Sequence, residues 1–223
     1  LTAGLSLSPA QEAGVGNTCP FSTIGCRDAC LDHQGLASVF ASIRAARIAK
    51  TQHFYRYRAD FLEWLRNDIE RFQRKADKEG KQLAVRLNVF SDLPWELMPE
   101  IVEKYTDVQF YDYTKNPKRV GQLAPNYWTT LSRSEVNDDA CKQALRFGNN
   151  VAVVFADLSG PSFVGNRSKL QTLPKTWQHF KVVDGDTTDL RFDDPRADRY
   201  RCGFVIGLRL KASSIVERQM AID

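Results

Sequence analysis

The stretch Lys75-Ala-Asp-Lys-Glu-Gly-Lys-Gln-Leu-Ala-Val-Arg-Leu-Asn-Val-Phe-Ser-Asp92 is where the chain changes its period. Upstream of it, Phe40, Ile43, Arg47, Phe54, Phe61, Leu62, Leu65, Ile69 and Phe72 recur at threes, fours and sevens. That spacing predicts a long helical segment over 36–76, with a break near Gln52 the natural place for an interruption. Gly80 closes the helical pattern, and Leu83 to Phe90 opens a series of short apolar runs. The others are Val108 to Tyr113, Tyr127 to Leu131, Val151 to Ala156, Phe180 to Val183 and Phe204 to Leu210. Between them the sequence reads as helix over 94–104 and 134–146, with shorter pieces at 116–122 and 166–172. Strands that alternate with helices predict a mostly buried parallel sheet.

Residues 2–8 alternate apolar and small polar types up to Pro9 and add a first short strand. About six or seven β/α units result, fewer than the eight of a closed barrel. The expected fold is therefore an incomplete parallel β/α, TIM-like barrel carrying an N-terminal cysteine loop and a long helix, with an open doubly wound sheet as the second choice. No internal repeat or low-complexity linker divides the 223 residues. One domain over 1–223 is expected, with a loop at 9–30, the helical segment at 36–76 and the β/α units at 83–211.

The chain is 43% hydrophobic and 26% charged, which excludes a disordered polymer. Its net charge of +4 is too small to announce a nucleic-acid or membrane protein. No apolar run approaches the roughly 20 residues of a membrane helix, and the start shows no secretory pattern. The five cysteines say more, because three crowd together as Cys19, Cys26 and Cys30 while Cys141 and Cys202 stand alone. An odd, clustered count suits thiolates kept for chemistry in a reducing compartment rather than disulfide staples.

In Cys19-Pro-Phe-Ser-Thr-Ile-Gly-Cys26-Arg-Asp-Ala-Cys30, six residues separate the first pair and three the second. Three soft ligands on a glycine-bearing loop suit an iron–sulfur cluster or zinc. Structural zinc wants four protein ligands, whereas a four-iron cluster tolerates one iron held by something else. The candidates for a fourth ligand are His33, Cys141 and Cys202. Cys141 falls in a helical run and Cys202 at the start of a strand, so both are expected to be small buried packing residues. The expectation is a [4Fe-4S] cluster on Cys19, Cys26 and Cys30 with an open or non-cysteine fourth position. Gly14, Gly16, Gly25 and Arg27 would supply backbone donors and a nearby cation.

Polar residues follow most of the apolar runs, at the edge where α/β folds assemble sites. Asn88, Asp92, Asp112, Lys115 and Asp184 are the expected pocket residues for a substrate or cofactor. The group Asp112, Asp157, Asp184 and Asp186 would also suit a hard cation, with turn and cap duty the plainer reading. Arg44, Arg47, Lys50, His53, Arg56 and Arg58, interleaved with Phe54, Tyr55 and Tyr57, offer a weak nucleic-acid surface; a solvated face of an amphipathic helix is the plainer reading there. Three histidines in all give little supply for a histidine-based hydrolytic centre.

Three N-terminal cysteines after a first strand of a partial barrel resemble the radical S-adenosylmethionine enzymes, which implies S-adenosylmethionine as a second cofactor. The gaps here are six and three where that family has three and two. Leu87-Asn-Val-Phe-Ser-Asp92 stands where that family carries Gly-Gly-Glu. The chain is more similar to a family of bacteriophage gene products of largely unassigned function. Asn17-Thr-Cys-Pro20, Arg86-Leu-Asn-Val-Phe-Ser-Asp92, Phe110-Tyr-Asp-Tyr-Thr-Lys115, Val182-Val-Asp-Gly-Asp186, Asp193-Asp-Pro195 and Val205-Ile-Gly-Leu-Arg-Leu-Lys211 carry that resemblance. It implies a viral iron–sulfur protein made in the cytoplasm of the infected bacterium, with an unidentified small-molecule or redox partner and no membrane. Two classes stay open: a binding or electron-transfer protein, which is preferred, and an enzyme whose substrate reaches the fourth iron. A structural zinc protein is the further alternative.

Overall fold

A computed structural model describes residues 1–28, 30–33, 40–155, 172–197 and 201–210. The helices are α1 (Ile24–Asp28), α2 (Ala41–Arg56), α3 (Arg58–Lys78), α4 (Pro99–Val102) and α5 (Asp138–Arg146). The strands are β1 (Thr2–Gly4), β2 (Ala84–Arg86), β3 (Gln109–Thr114), β4 (Gly121–Ala124), β5 (Tyr127–Ser132), β6 (Val151–Phe155), β7 (Thr176–Trp177), β8 (Phe180–Asp184) and β9 (Val205–Arg209). The hydrogen-bonding order is β1-β2-β3-β5-β6-β9-β8-β7, with β4 on β5. The result is a mixed α/β fold with a mostly parallel sheet that does not close.

The chain divides into two compact units, neither of them one continuous stretch. The first comprises Leu1–Pro20, Asp32–Asp112 and Gln122–Trp128. In it β1 pairs in parallel with β2, Ala3 opposite Val85, and β2 pairs in parallel with β3, Val85 opposite Phe110. The long helical segment is two helices. Tyr57 leaves the helical region at φ −132° and ψ 59°, so the break falls there rather than near Gln52. Phe61, Leu62, Leu65, Ile69 and Ala76 line the buried face of α3 at the spacing the sequence shows. They pack with Phe54 of α2, Leu83, Val85, Leu87, Trp95 and Phe110 into one core. Phe54 meets Phe61 edge-on at 5.2 Å between ring centroids and lies 5.6 Å from Trp95. Each such fully buried large side chain contributes on the order of 2 kcal/mol.

The second unit comprises Phe21–Leu31, Tyr113–Gly121 and Thr129–Asp223. Here β5 runs parallel to β6, β6 to β9 along its whole length, and β9 to β8. Leu131, Cys141, Ala144, Leu145, Val151, Val153, Phe155, Trp177 and Val205 form its core. The last strand among the described residues, β9, thus lies between β6 and β8. A β/α barrel grows by adding each new strand on the same side of the last, so this order does not bear out the expected incomplete barrel, and what stands is an open, mostly parallel sheet. β7 then pairs antiparallel with β8 and finishes that edge of the sheet. Close packing admits β9 only because Gly203, just before it, has no side chain: a Cβ there would sit 2.1 Å from the Asn149 carbonyl oxygen.

Smaller expectations shift as well. The stretch 94–104 is a 3-10 turn, Trp95–Leu97, followed by the single turn α4, because Pro94 and Pro99 interrupt any longer helix. The piece at 116–122 is a turn leading into β4, not a helix. The helix of 134–146 shortens to α5. The stretch 166–171, Asp157 and Lys211 lie outside the described residues.

Candidate functional site

The run Leu83 to Phe90 stops being a strand at Arg86, and the next residues turn their polar groups inward. Asn88 and Asp112 are both buried, at 1% and 0% exposure. The Asn88 backbone N–H donates to Asp112 Oδ1 at 2.6 Å, and its Nδ2 donates to Oδ2 at 3.0 Å. The Tyr127 hydroxyl donates to the same Oδ2 at 2.5 Å. On its other side Asn88 Oδ1 accepts from Ser91 Oγ at 2.8 Å, the Leu93 N–H at 2.9 Å and Trp95 Nε1 at 3.2 Å. Three donors thus converge on one buried carboxyl group and lock the ends of β2 and β3 together.

Asp92 is buried as well, and its backbone N–H donates to the Thr18 carbonyl at 2.7 Å. That bond ties the segment after β2 to the residue preceding Cys19. The Cys19 thiol donates to the Phe90 carbonyl at 3.3 Å, and its backbone N–H donates to Asn17 Oδ1 at 2.9 Å. Tyr55 closes over Gly16, where a Cβ would lie 2.5 Å from the ring carbon Cζ. Burial pushes the Tyr55 phenol up, the Arg58 cation lowers it and Cys19 raises it further. Thr18, Asn17, Gly16 and Asp92 therefore hold Cys19 in the first unit.

In the second unit, Cys26 lies in α1 and its backbone N–H donates to Thr23 Oγ1 at 3.1 Å. The Cys30 N–H donates to the Arg27 carbonyl at 3.2 Å, continuing the turn beyond α1. The Gly25 N–H donates to Glu135 Oε1 at 3.0 Å. Burial raises the Glu135 carboxyl, but bonds from Thr23, its own backbone and Gly25, with the Lys115 charge, outweigh that and leave it below the usual range.

Lys115 and Asp184 also belong to the second unit. Lys115 Nζ donates to Ser132 Oγ at 2.9 Å and to the Arg133 carbonyl at 2.6 Å. Asp184 receives both Arg209 terminal nitrogens, at 3.0 and 2.9 Å, and Arg209 also reaches Asp186 at 2.9 Å. Arg209 holds the Asp184 carboxyl below the usual range. Of the expected pocket residues, Asn88 and Asp112 bond to one another in the interior of the first unit, Asp92 is buried in that unit, and Lys115 and Asp184 make these bonds within the second.

Cys19, Cys26 and Cys30 are half-buried, Cys141 is buried, and no disulfide joins any of the five. Burial pushes the Cys141 thiol up to about 12, with Asp138 adding to it. Cys202 is exposed, contrary to its expected role in packing; at the entry to β9 the buried residue is its neighbour Gly203, which lies against the Asn149 backbone. The side chain of His33 lies outside what the structure describes. Among the described residues, no group of three or more His, Cys, Asp or Glu side chains is placed to hold a metal ion.

The basic stretch at 44–58 is largely taken up by contacts inside the first unit. Arg47 pairs with Asp32 and lies over the Phe90 ring, Arg44 meets Glu12, Arg58 lies 3.6 Å over Phe54, and His53 stacks on Trp64 at 4.2 Å. Sequence reasoning passed over a different basic cluster, around a cavity at Arg146, Lys181, Arg196 and Arg201. Its members are scattered along the chain, so no local pattern announces them.

An open, mostly parallel α/β sheet with a buried carboxylate network at its strand ends and a half-buried cysteine loop defines the class of protein. The chain belongs to the family described as Gene product 88, whose model matches residues 1–219. No curated protein and no solved structure matches it. Among the described residues, no helix is long and apolar enough to cross a membrane.

Proposed function

We propose that this chain is an iron–sulfur protein in which Cys19, Cys26 and Cys30 hold a [4Fe-4S] cluster with an open or non-cysteine fourth position. Its role is redox or binding, in the cytoplasm of a bacterium infected by a phage. The observation that carries the reading is the sequence itself: three cysteines within twelve residues on a loop with turn glycines. Two features of the fold support it. These three thiols are all half-buried, within reach of a ligand yet shielded, unlike the interior Cys141. Cys26 also lies in α1 beside the exposed Arg27 cation, a charge that suits an anionic cluster. As a donor set, three thiols fit a soft iron centre better than a hard cation.

Anaerobic purification followed by iron and acid-labile sulfide analysis tests the proposal. The expected protein is coloured, holds iron and sulfide in matching amounts, and loses both in Cys26→Ser but not in Cys141→Ser. Stoichiometric zinc without sulfide, or a colourless metal-free chain, would overturn it. Reductive cleavage of S-adenosylmethionine by the reduced protein would move it from the binding class to the enzyme class.

A further inference from the structure

Helix α2 buries Thr51 and Phe54, and much of what it otherwise touches is the loop that leads to Cys19. The Arg44 guanidinium meets Glu12 at 3.3 Å, the Ser8 N–H donates to Thr51 Oγ1 at 2.8 Å, and Gln52 Nε2 donates to the Ala13 carbonyl at 3.1 Å. Positions 44, 51, 52 and 55 recur at helical spacing and so lie along one side of α2. Tyr55 is the last of them, and its ring lies on Gly16. A Cβ on Gly16 would sit 2.5, 2.6 and 2.9 Å from the ring carbons Cζ, Cε1 and Cε2. From α2 and α3 the same ring is met edge-on by Phe54, at 5.2 Å between centroids, and by Arg58, whose Cζ is 6.0 Å from its centroid.

From Gly16 the path to the thiol is short and held at each step. Asn17 Oδ1 accepts from the Cys19 N–H at 2.9 Å. Thr18 is fully buried; its Oγ1 donates to the Ser8 carbonyl at 2.7 Å and its N–H to the Ala10 carbonyl at 2.9 Å. The Cys19 thiol then donates to the Phe90 carbonyl at 3.3 Å. Cys19 also lies near enough to Tyr55 to raise its phenol, so ring and thiol are neighbours. Every one of these residues belongs to the first unit.

We propose that Tyr55 is a positioning residue for Cys19: its ring, seated on Gly16, fixes the turn 16–19 and so holds the thiol in place before any metal arrives. The value of that placement rests on Cys19 being a ligand, as proposed above; the seating itself does not. A ligand ordered in advance has less freedom to lose when the metal binds. It also opens to solvent less often, which protects a thiol from oxidants and alkylating agents. Contact with Gly16 is made by ring carbons, so the ring, and not its hydroxyl, carries the effect. Glycine at 16 is the matching half of the device, because any side chain there would displace the ring.

The test is the rate at which iodoacetamide labels each cysteine of the full, reduced, chelator-treated chain, read by tandem mass spectrometry. Tyr55→Ala, which removes the ring, and Gly16→Ala, which unseats it, are each expected to speed Cys19 labelling about tenfold relative to the exposed Cys202. Tyr55→Phe is expected to keep the parent rate, and Cys141 to stay protected throughout. Cys19 labelling unchanged in either alanine variant overturns the proposal, as does Tyr55→Phe labelling as fast as Tyr55→Ala. Cys141 reacting along with Cys19 in both alanine variants also overturns it, because the whole fold and not the turn has then loosened. In the iron-loaded chain, visible absorbance in air is expected to decay faster in Tyr55→Ala than in the parent, with Tyr55→Phe like the parent; equal decay in all three overturns the metal-holding role. A chain that takes up no iron overturns the proposed function instead, and labelling still decides the seating of Tyr55.

Discussion

Asn88 and Asp112 are joined by two hydrogen bonds, backbone N–H to Oδ1 at 2.6 Å and side-chain Nδ2 to Oδ2 at 3.0 Å, both within the interior. A side-chain carboxylate here does what a continued strand ladder would otherwise do, satisfying a backbone donor just past the end of β2. Asp112→Ala would take away the buried carboxyl oxygens to which the Asn88 N–H and the Tyr127 hydroxyl donate. The expected loss is about 3 kcal/mol or more of unfolding free energy. Tyr127→Phe, which removes one donor and keeps both bonds from Asn88, is expected to cost about 1–2 kcal/mol. Urea titration of the two variants checks the order; equal losses would contradict the network.

Close approach at Gly203 makes a second expectation. Any Cβ there meets backbone, Asn149 oxygen and carbon, rather than the end of a flexible side chain. Gly203→Ala is expected to destabilise by about 1–3 kcal/mol, as overpacking does. It should also weaken the Gly203 N–H bond to the Leu145 carbonyl, now 2.7 Å. Faster hydrogen exchange at residue 203 would show this, and a variant as stable as the parent would rule it out.

Asp194 is 8% exposed, and burial raises its carboxyl from 3.8 to about 6, with Arg191 opposing that rise. Between these two values the folded chain keeps a proton that the unfolded chain has released. This group's contribution to stability is therefore largest below about pH 4 and falls as pH rises through about 6. Asp194→Asn is expected to abolish that part of the pH dependence. Parallel denaturation curves of the parent and variant at pH 4, 5, 6 and 7 measure it; a constant difference across the series would show that Asp194 does not titrate in this window.

The cysteines should differ in reactivity by location. With its thiol at about 12, Cys141 is thiolate in only about one molecule in ten thousand at pH 8. Exposed Cys202 lacks that protection. Brief iodoacetamide treatment of the native protein followed by peptide mass mapping is expected to label Cys202 and leave Cys141 intact. Equal labelling would mean that Cys141 is not held in the core.

Part of the local structure of this chain is legible in its sequence, though the turns at 94–104 and 116–122 are not. The apolar positions Phe61, Leu62, Leu65 and Ile69 mark the buried face of α3 because helical period is a property of neighbours in sequence. The runs at 108–113, 127–131, 151–156, 180–183 and 204–210 each contain a strand for the same reason. Asn88 and Asp112 could be singled out as polar groups at strand ends, but not as partners of one another, since their bond joins residues 24 apart in sequence.

Sequence alone determined that α3 carries one apolar face, that each apolar run holds a strand and that Cys141 packs. Those features follow from period, spacing and composition within a few turns of chain. Tertiary structure decided the insertion of β9 between β6 and β8, the inward turn of the Asn88 and Asp112 side chains, the exposure of Cys202 and the gathering of Arg146, Lys181, Arg196 and Arg201 around one cavity. Each of these depends on which distant segments pair. Strand pairing is set by burial summed over the whole unit, and no single window of sequence contains that sum.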